Sequence, residues 1–189
     1  MTDDFASLTQ SVRRLIDATI RSEVGGNVAA EARAHVDRAV DLLSAELMPG
    51  SYGVRATADG RPTALGNVLI GARNAVAPPL VIHHEADGSV HTEFELGAAY
   101  EGPAGHVHGG VCALILDHVL AAPAHQPGKP AVTGTITVRY VRPTRLGRLR
   151  AQARVDRVEG AKTYVVGNIA DAEGATVEAS GVFIRPKRR

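Results

Sequence analysis

The chain has 189 residues, 44% of them apolar, and a formal charge of +1. That length suits one domain with an added arm, the apolar share can fill a sizeable core, and the small net charge supplies no global field for nucleic acid. A single cysteine, Cys112, excludes an intramolecular disulfide. Behind "MTDDF" stands no apolar run of signal type, and no apolar stretch approaches the roughly 20 residues that cross a bilayer. The expectation is a cytoplasmic protein with no stable membrane insertion.

Residues 3–23 place Phe5, Leu8, Val12, Leu15, Ile16 and Ile20 on one stripe, which predicts an amphipathic helix. Gly25 and Gly26 break it. Asn27 is a candidate cap for a second helix with the stripe Val28, Ala32, Val36, Ala39, Val40, Leu43 and Leu47, ended by "MPGSYG". These helices form an arm over 1–50, ahead of a second region over 51–189. Residues 50–79, rich in Gly, Pro and Ala, predict no element. "LVIHHE" and "VHTEFEL" flank the turn signal "ADGS" and predict a hairpin. An apolar helix follows from about His108 to Ala121, with Pro123 as its stop. Four strands complete the chain: "TGTITVRYV", "LRAQARVDRV", "KTYVVGNIA" and "ATVEASGVFI". Thr135, Thr137 and Arg139 alternate with Ile136, Val138 and Tyr140, the pattern of a sheet with one buried face. A helix apolar nearly all round needs cover on most sides. An α+β hotdog fold, a curved antiparallel sheet wrapped around that helix, supplies it.

The stretch "HVHGGVCALILD" carries the chemistry. Gly109 and Gly110 leave backbone N–H groups open at the positive end of the helix dipole, where an oxyanion can be held. The same glycines also suit a tight entry turn. Asp117 is a carboxylate among Leu114, Ile115, Leu116 and Val119. It reads either as a base or nucleophile in a dry cleft or as a structural acid bonded to a strand or a second copy. Asp117 follows His108 by nine residues, roughly 13–14 Å and half a circle of helix. The two ends cannot serve one reacting carbon within one chain. If both are catalytic, the active unit is at least a homodimer.

"HVHGGVCALILD", with Thr133 sixteen positions after Asp117 and then "RYVRP", resembles the PaaI-type acyl-CoA thioesterases of the hotdog superfamily over residues 74–185. The resemblance implies an acyl-CoA substrate, with Asp117 activating water or attacking the thioester. Gly109 would supply an oxyanion N–H, His108 support the site and Thr133 assist. The Asn that many relatives carry ahead of the motif is absent from "YEGPAGHVHGG". The resemblance further implies that Arg139, Arg142 and Lys162 approach the nucleotide of coenzyme A, whose phosphates suit arginine. Solvated strand residues are the plainer reading of these three. From Lys129 to Arg157 there are eight basic residues and one acid.

His83, His84, His91, His106, His118 and His125 match no complete ligand set, so no metal is expected. No cofactor is implied, since coenzyme A belongs to the substrate. A hotdog hydratase or dehydratase and a non-catalytic acyl-CoA-binding protein are the competing readings; thiol release from acyl-CoAs separates hydrolysis from both. With three Phe, four Tyr and no Trp, an aliphatic acyl pocket is expected over an aromatic one. The sequence leaves acyl length, the arm's role and a dimer of dimers open.

Overall fold

The structure is a computed structural model that describes residues 2–56, 62–125 and 130–186. Lys129 of the basic stretch and Lys187, Arg188 and Arg189 of the C-terminal tail lie outside the described residues. The chain divides into two units, Met1–Val76 and Ala77–Arg189.

In the first unit, α1 spans Thr2–Arg21 and α2 spans Gly26–Ser44. The cap of α2 is Gly25, two residues earlier than Asn27 would set it, and no side chain completes it. β1 (Arg55–Ala56) and β2 (Pro62–Thr63) form a two-stranded ribbon. The unit runs past residue 50 because its later segment is bonded to α1. Arg13 donates to the Asn74 carbonyl at 2.8 Å, and the Arg73 guanidinium lies 3.5 Å from the centre of the Phe5 ring. Along α2 the apolar stripe is exposed, with only Val36 half-buried.

The second unit is the hotdog arrangement. β3 (His83–His84) and β4 (Val90–Leu96) form the expected hairpin, with β3 only two residues long. Gly88 sits at φ 82° in its turn, where the Asp87 carboxylate accepts from the N–H and hydroxyl of Ser89. α3 spans Gly109–Ala124. Then come β5 (Val132–Tyr140), β6 (Gly147–Glu159), β7 (Lys162–Asp171) and β8 (Gly174–Ile184). The six strands pair antiparallel in the order β3-β4-β6-β7-β8-β5. Pro123 does not stop α3. It lies in the last turn, and His125 closes the helix by donating its N–H to the Ala121 and Ala122 carbonyls.

α3 lies against the sheet through Cys112, Ile115, Leu116, Val119 and Leu120, all essentially without solvent contact. Burying each of the larger four stabilises the fold by about 1.5–3 kcal/mol. The sheet receives them because its inner face is built of small residues: Ala151 and Ala153 on β6, Gly167 on β7, Ala179 and Gly181 on β8. A Cβ at Gly167 would overlap the Gln152 carbonyl oxygen and stand 3.1 Å from Leu120 Cδ2; one at Gly181 would meet the Phe183 ring. The far side of α3 is less covered. Leu114 is 40% exposed, and Val111, Asp117, His118 and Ala121 are half-buried.

β5 is an edge strand with one irregularity that matters. Thr133 pairs with Phe183 and Thr135 with Val182, so Gly134 is an extra residue in a β-bulge. Residues directly opposed across a ladder share a face. Phe183 is fully buried on the helix side, so Thr133 faces α3; Thr135, Thr137 and Arg139 face away. Period-two alternation alone would put all four on one side. A Cβ at Gly134 would stand 2.8 Å from Ile184 Cδ1, so a larger bulge residue would displace the end of that side chain.

Gly167→Ala should lower the urea unfolding midpoint, with a loss of about 1–3 kcal/mol, because the added methyl forces the β6–β7 ladder or Leu120 to move. An unchanged midpoint would show that the helix–sheet contact is looser than described.

Candidate active site

The start of α3 is fixed before any substrate is considered. The incoming loop is pinned by backbone bonds: His108 N–H to the Tyr100 carbonyl at 2.9 Å, Val107 N–H to Thr144 at 2.8 Å and Gly102 N–H to His106 at 2.9 Å. Gly102 is required there, since its Cβ would stand 2.8 Å from His108 Cα. Beneath it runs a buried hydroxyl chain. Cys112 Sγ meets Thr144 Oγ1 at 3.8 Å, Thr144 donates to Thr176 Oγ1 at 2.8 Å, and Thr176 donates to the Ile169 carbonyl at 3.2 Å. Burial pushes the Cys112 thiol pKa up, so this cysteine is a packing residue rather than a nucleophile.

A helix leaves its first four N–H groups without α-type partners. Here they belong to His108, Gly109, Gly110 and Val111. His108 N–H goes to Tyr100, as above. Gly110 N–H donates to His108 Nδ1 at 3.0 Å, and Val111 N–H to the His108 carbonyl at 2.9 Å. Only the Gly109 N–H faces no acceptor among the described residues. The sequence expectation of two open glycine amides is therefore corrected to one. Gly110 is capped by the imidazole, which packs 3.1 Å from where its Cβ would be. Because Nδ1 accepts, the neutral ring carries its proton on Nε2.

Tyr140 was not among the sequence candidates. It lies on the helix-facing side of β5, opposite Val177, and its hydroxyl donates to the Gly109 carbonyl at 2.9 Å. Its facing is legible in the alternation Ile136, Val138, Tyr140, whereas its partner on α3 is not.

Asp117 lies in the middle of α3, half-buried, and accepts from Thr133 Oγ1 at 2.9 Å. The bulge at Gly134 is what delivers that hydroxyl. Asp117 stands eight residues from Gly109 on one unbroken helix, about 12 Å of rise. The carboxylate and the open N–H are therefore separate features of a single chain. His118 is held below the usual imidazole pKa range, first by burial, against the opposing pull of Asp117.

The three expected nucleotide contacts do not form one patch. Arg139 faces away from α3 and pairs with Glu178 at 3.3 Å. Arg142 closes a fork on the Asp171 carboxylate, one arm at 2.8 Å, and also donates to the Gly174 carbonyl at 2.9 Å. That fork makes Arg142 the staple of the β7–β8 turn. Lys162 opens β7 in the same cross-strand row as Ile184 and Val132. It is thus at the Thr133 end, whereas Arg139 lies six residues along β5, about 20 Å away at 3.3 Å per residue. Among the described residues no group of three or more His, Cys, Asp or Glu could hold a metal ion, and no helix is long and apolar enough to cross a membrane.

Comparison with known proteins places the fold. Residues 104–178 match the family described as Thioesterase superfamily. A crystal structure of a thioesterase superfamily protein aligns with a TM-score of 0.84 and 32% identity, covering 95% of this chain and 90% of that one. A phenylacetic acid degradation-related protein from Ralstonia eutropha JMP134 aligns at a TM-score of 0.53 and 25% identity, over 57% of this chain and 85% of its own. The acyl-coenzyme A thioesterase THEM4 of Xenopus laevis is 28% identical over 108 residues, 56% of this chain and 49% of that protein. The chain spans about half the length of that curated relative.

The Arg142 fork has a pH signature. It holds the Asp171 carboxyl down to about 2 from 3.8. A carboxyl depressed in the folded state contributes stability above its unfolded pKa and loses it as pH falls through the folded one. The urea midpoint of the parent should thus fall between about pH 4 and pH 2, and Asp171→Asn should flatten that part of the profile. Parallel profiles for both proteins would mean that the fork does not stabilise the turn.

Proposed function

Because the chain belongs to the thioesterase superfamily, we propose that it hydrolyses an acyl-CoA thioester to the free acid and CoA in a site shared by two copies. The observation that carries this reading is the division of polar groups along α3. One N–H, on Gly109, is left open at its start, and one carboxylate, oriented by Thr133, stands about 12 Å further on.

In this mechanism the thioester oxygen sits at the Gly109 N–H, at the positive end of the α3 dipole, where negative charge develops as the carbonyl carbon is attacked. His108 holds the helix start rigid and offers its Nε2–H toward the same space. Asp117 of the second copy takes a proton from a water as that water's oxygen bonds to the carbonyl carbon. Collapse of the tetrahedral intermediate breaks the C–S bond. The CoA thiolate leaves readily, since a thiol pKa near 8.5 makes it a good leaving group, and it recovers the proton from Asp117. Direct attack by the carboxylate gives an anhydride that water then opens, with the same residues. Thr133 fixes one oxygen of Asp117 and leaves the other free for the water or the carbon.

The edge strand supports the shared site. Among the described residues β5 has no neighbour beyond it in the sheet, and Val132, Tyr140 and Val141 on or beside it are exposed. An open apolar edge invites pairing with another chain. Antiparallel pairing of two β5 strands about a twofold axis sets the Thr133 end of one copy against the Tyr140 end of the other. Asp117 of one chain then approaches Gly109 of its mate. The same pairing brings Lys162 of one copy toward the end that carries Arg139 of the other, where the nucleotide of CoA would lie. Arg142, committed to Asp171, is left out of that contact. The substrate class is an aliphatic acyl-CoA, and the setting is the cytoplasm.

A panel of acyl-CoAs with thiol detection should show turnover. Asp117→Asn keeps the side chain's shape and should lose activity by about 100-fold or more. Binding of acyl-CoA without any thiol release by the parent would instead favour a non-catalytic binding protein.

Mixing tests the shared site. Gly109→Pro removes the oxyanion N–H and should be nearly inactive as a homodimer, provided that circular dichroism and melting confirm its fold. Asp117→Asn and Gly109→Pro, mixed after reversible dissociation, should regain about a quarter of parental activity, because half the dimers are mixed and each of those has one complete site. Folded mixed dimers no more active than either variant would put both groups to work within one chain or remove one of them.

A further inference from the structure

Resting on the thioesterase reading, the geometry points to Tyr140 as the positioning residue of the oxyanion N–H, acting through Gly109. Two rings hold the entry of α3. The His108 imidazole caps Gly110 from one side. From β5, the Tyr140 ring lies against Gly109, with Cε1, Cζ and the hydroxyl oxygen 3.2, 3.3 and 3.3 Å from where a Cβ would stand. The hydroxyl donates to the Gly109 carbonyl at 2.9 Å.

The need for such a residue follows from what Gly109 is. It has no side chain to restrict it, and it occupies the first helical position, where helices fray. Its N–H makes no hydrogen bond to the described residues, and the planar peptide that carries it is held through the His108 carbonyl, which accepts from Val111 N–H at 2.9 Å and Cys112 N–H at 3.3 Å. An oxyanion donor must point within about 2.7–3.1 Å of the charge that forms. Tyr140 adds a second restraint on the other side of Gly109, at its own carbonyl. Its hydroxyl ties down the peptide that follows Gly109, and its ring blocks the rotation that would swing the residue outward. The contact also explains why this position is glycine. Any Cβ would sit tighter against the tyrosine than ordinary packing allows, so the ring or the helix start would have to shift.

The role has a kinetic signature that a purely structural one lacks. A donor that matters only once negative charge develops acts on kcat and leaves ground-state binding alone. Tyr140→Phe keeps the ring and removes only the hydrogen bond. It should lower kcat by about 10-fold with KM little changed and the melting temperature unaltered. The Gly109 amide should show a lower NMR order parameter in Tyr140→Phe than in the parent, measured without substrate. The steric half is tested by a double-mutant cycle. Gly109→Ala should cost activity in the parent and cost less in a Tyr140→Ala background, because the ring it collides with is gone.

An unchanged Gly109 order parameter in Tyr140→Phe overturns the proposal even in an active enzyme. A loss that appears only in KM or in thermal stability does so too, as does strict additivity in the cycle. A lowered order parameter in a protein whose parent releases no thiol from any acyl-CoA would instead remove the hydrolytic reading, and with it any catalytic purpose for the restraint.

Discussion

α3 places Ile115, Leu116, Val119 and Leu120 against the sheet with no exposure, and the sheet can take them only where it has almost no side chains of its own. Gly167 and Gly181 stand under Leu120, with Ala151, Ala153 and Ala179 beside them. Close packing of a helix on such a floor leaves little freedom in the helix's rotation or height. Everything polar on α3 is positioned by that fit. Asp117 falls on the less covered side, next to β5, and the helix start falls where the loop from β4, the Thr144–Thr176 hydroxyls and Tyr140 converge.

Two backbone details then turn a packed helix into a site. At the start, His108 satisfies its neighbours' donors with its own ring and carbonyl, leaving a single amide open. In the middle, one extra residue in β5 turns Thr133 to the helix side, where its hydroxyl meets the carboxylate. Neither detail adds much to stability. A cap is worth about 1 kcal/mol and a bulge interrupts the ladder. Both instead fix directions of polar groups, which is what transition-state stabilisation requires.

The arginines serve structure more than their number suggests. Arg142 closes the β7–β8 turn on Asp171, Arg139 pairs with Glu178, and Arg150 approaches Glu93 at 3.4 Å. Exposed pairs of this kind contribute little each, whereas the Arg142 fork is less exposed and holds the Asp171 carboxyl below its ordinary range. Basic residues counted along the sequence therefore overstate the positive surface left for phosphate. Arg139 and Lys162 remain candidates for a nucleotide only if two copies bring their two ends of the sheet together.

The sequence by itself determined the kind of each element in the sheet domain. Apolar runs with period two or none, punctuated by "ADGS", "EGA" and "AEG", can only be strands and one buried helix, and the separation of His108 from Asp117 follows from helix rise alone. It missed what depends on neighbours distant in the chain. Pro123 lies inside α3 although it leaves the Val119 carbonyl without its intrahelical donor. Gly25 rather than Asn27 begins α2, since no side-chain contact was needed to start it. Gly110 is capped by a ring whose rotamer no pattern encodes. Thr133 faces Asp117 only because Ile184 and Val182 leave room for the bulge at Gly134, and Tyr140 reaches Gly109 only because β5 lies beside β8 at the edge of the sheet. Local periodicity fixes which face a residue takes within its own element. Which partner that face meets is set by strand order, and strand order is a property of the packed chain.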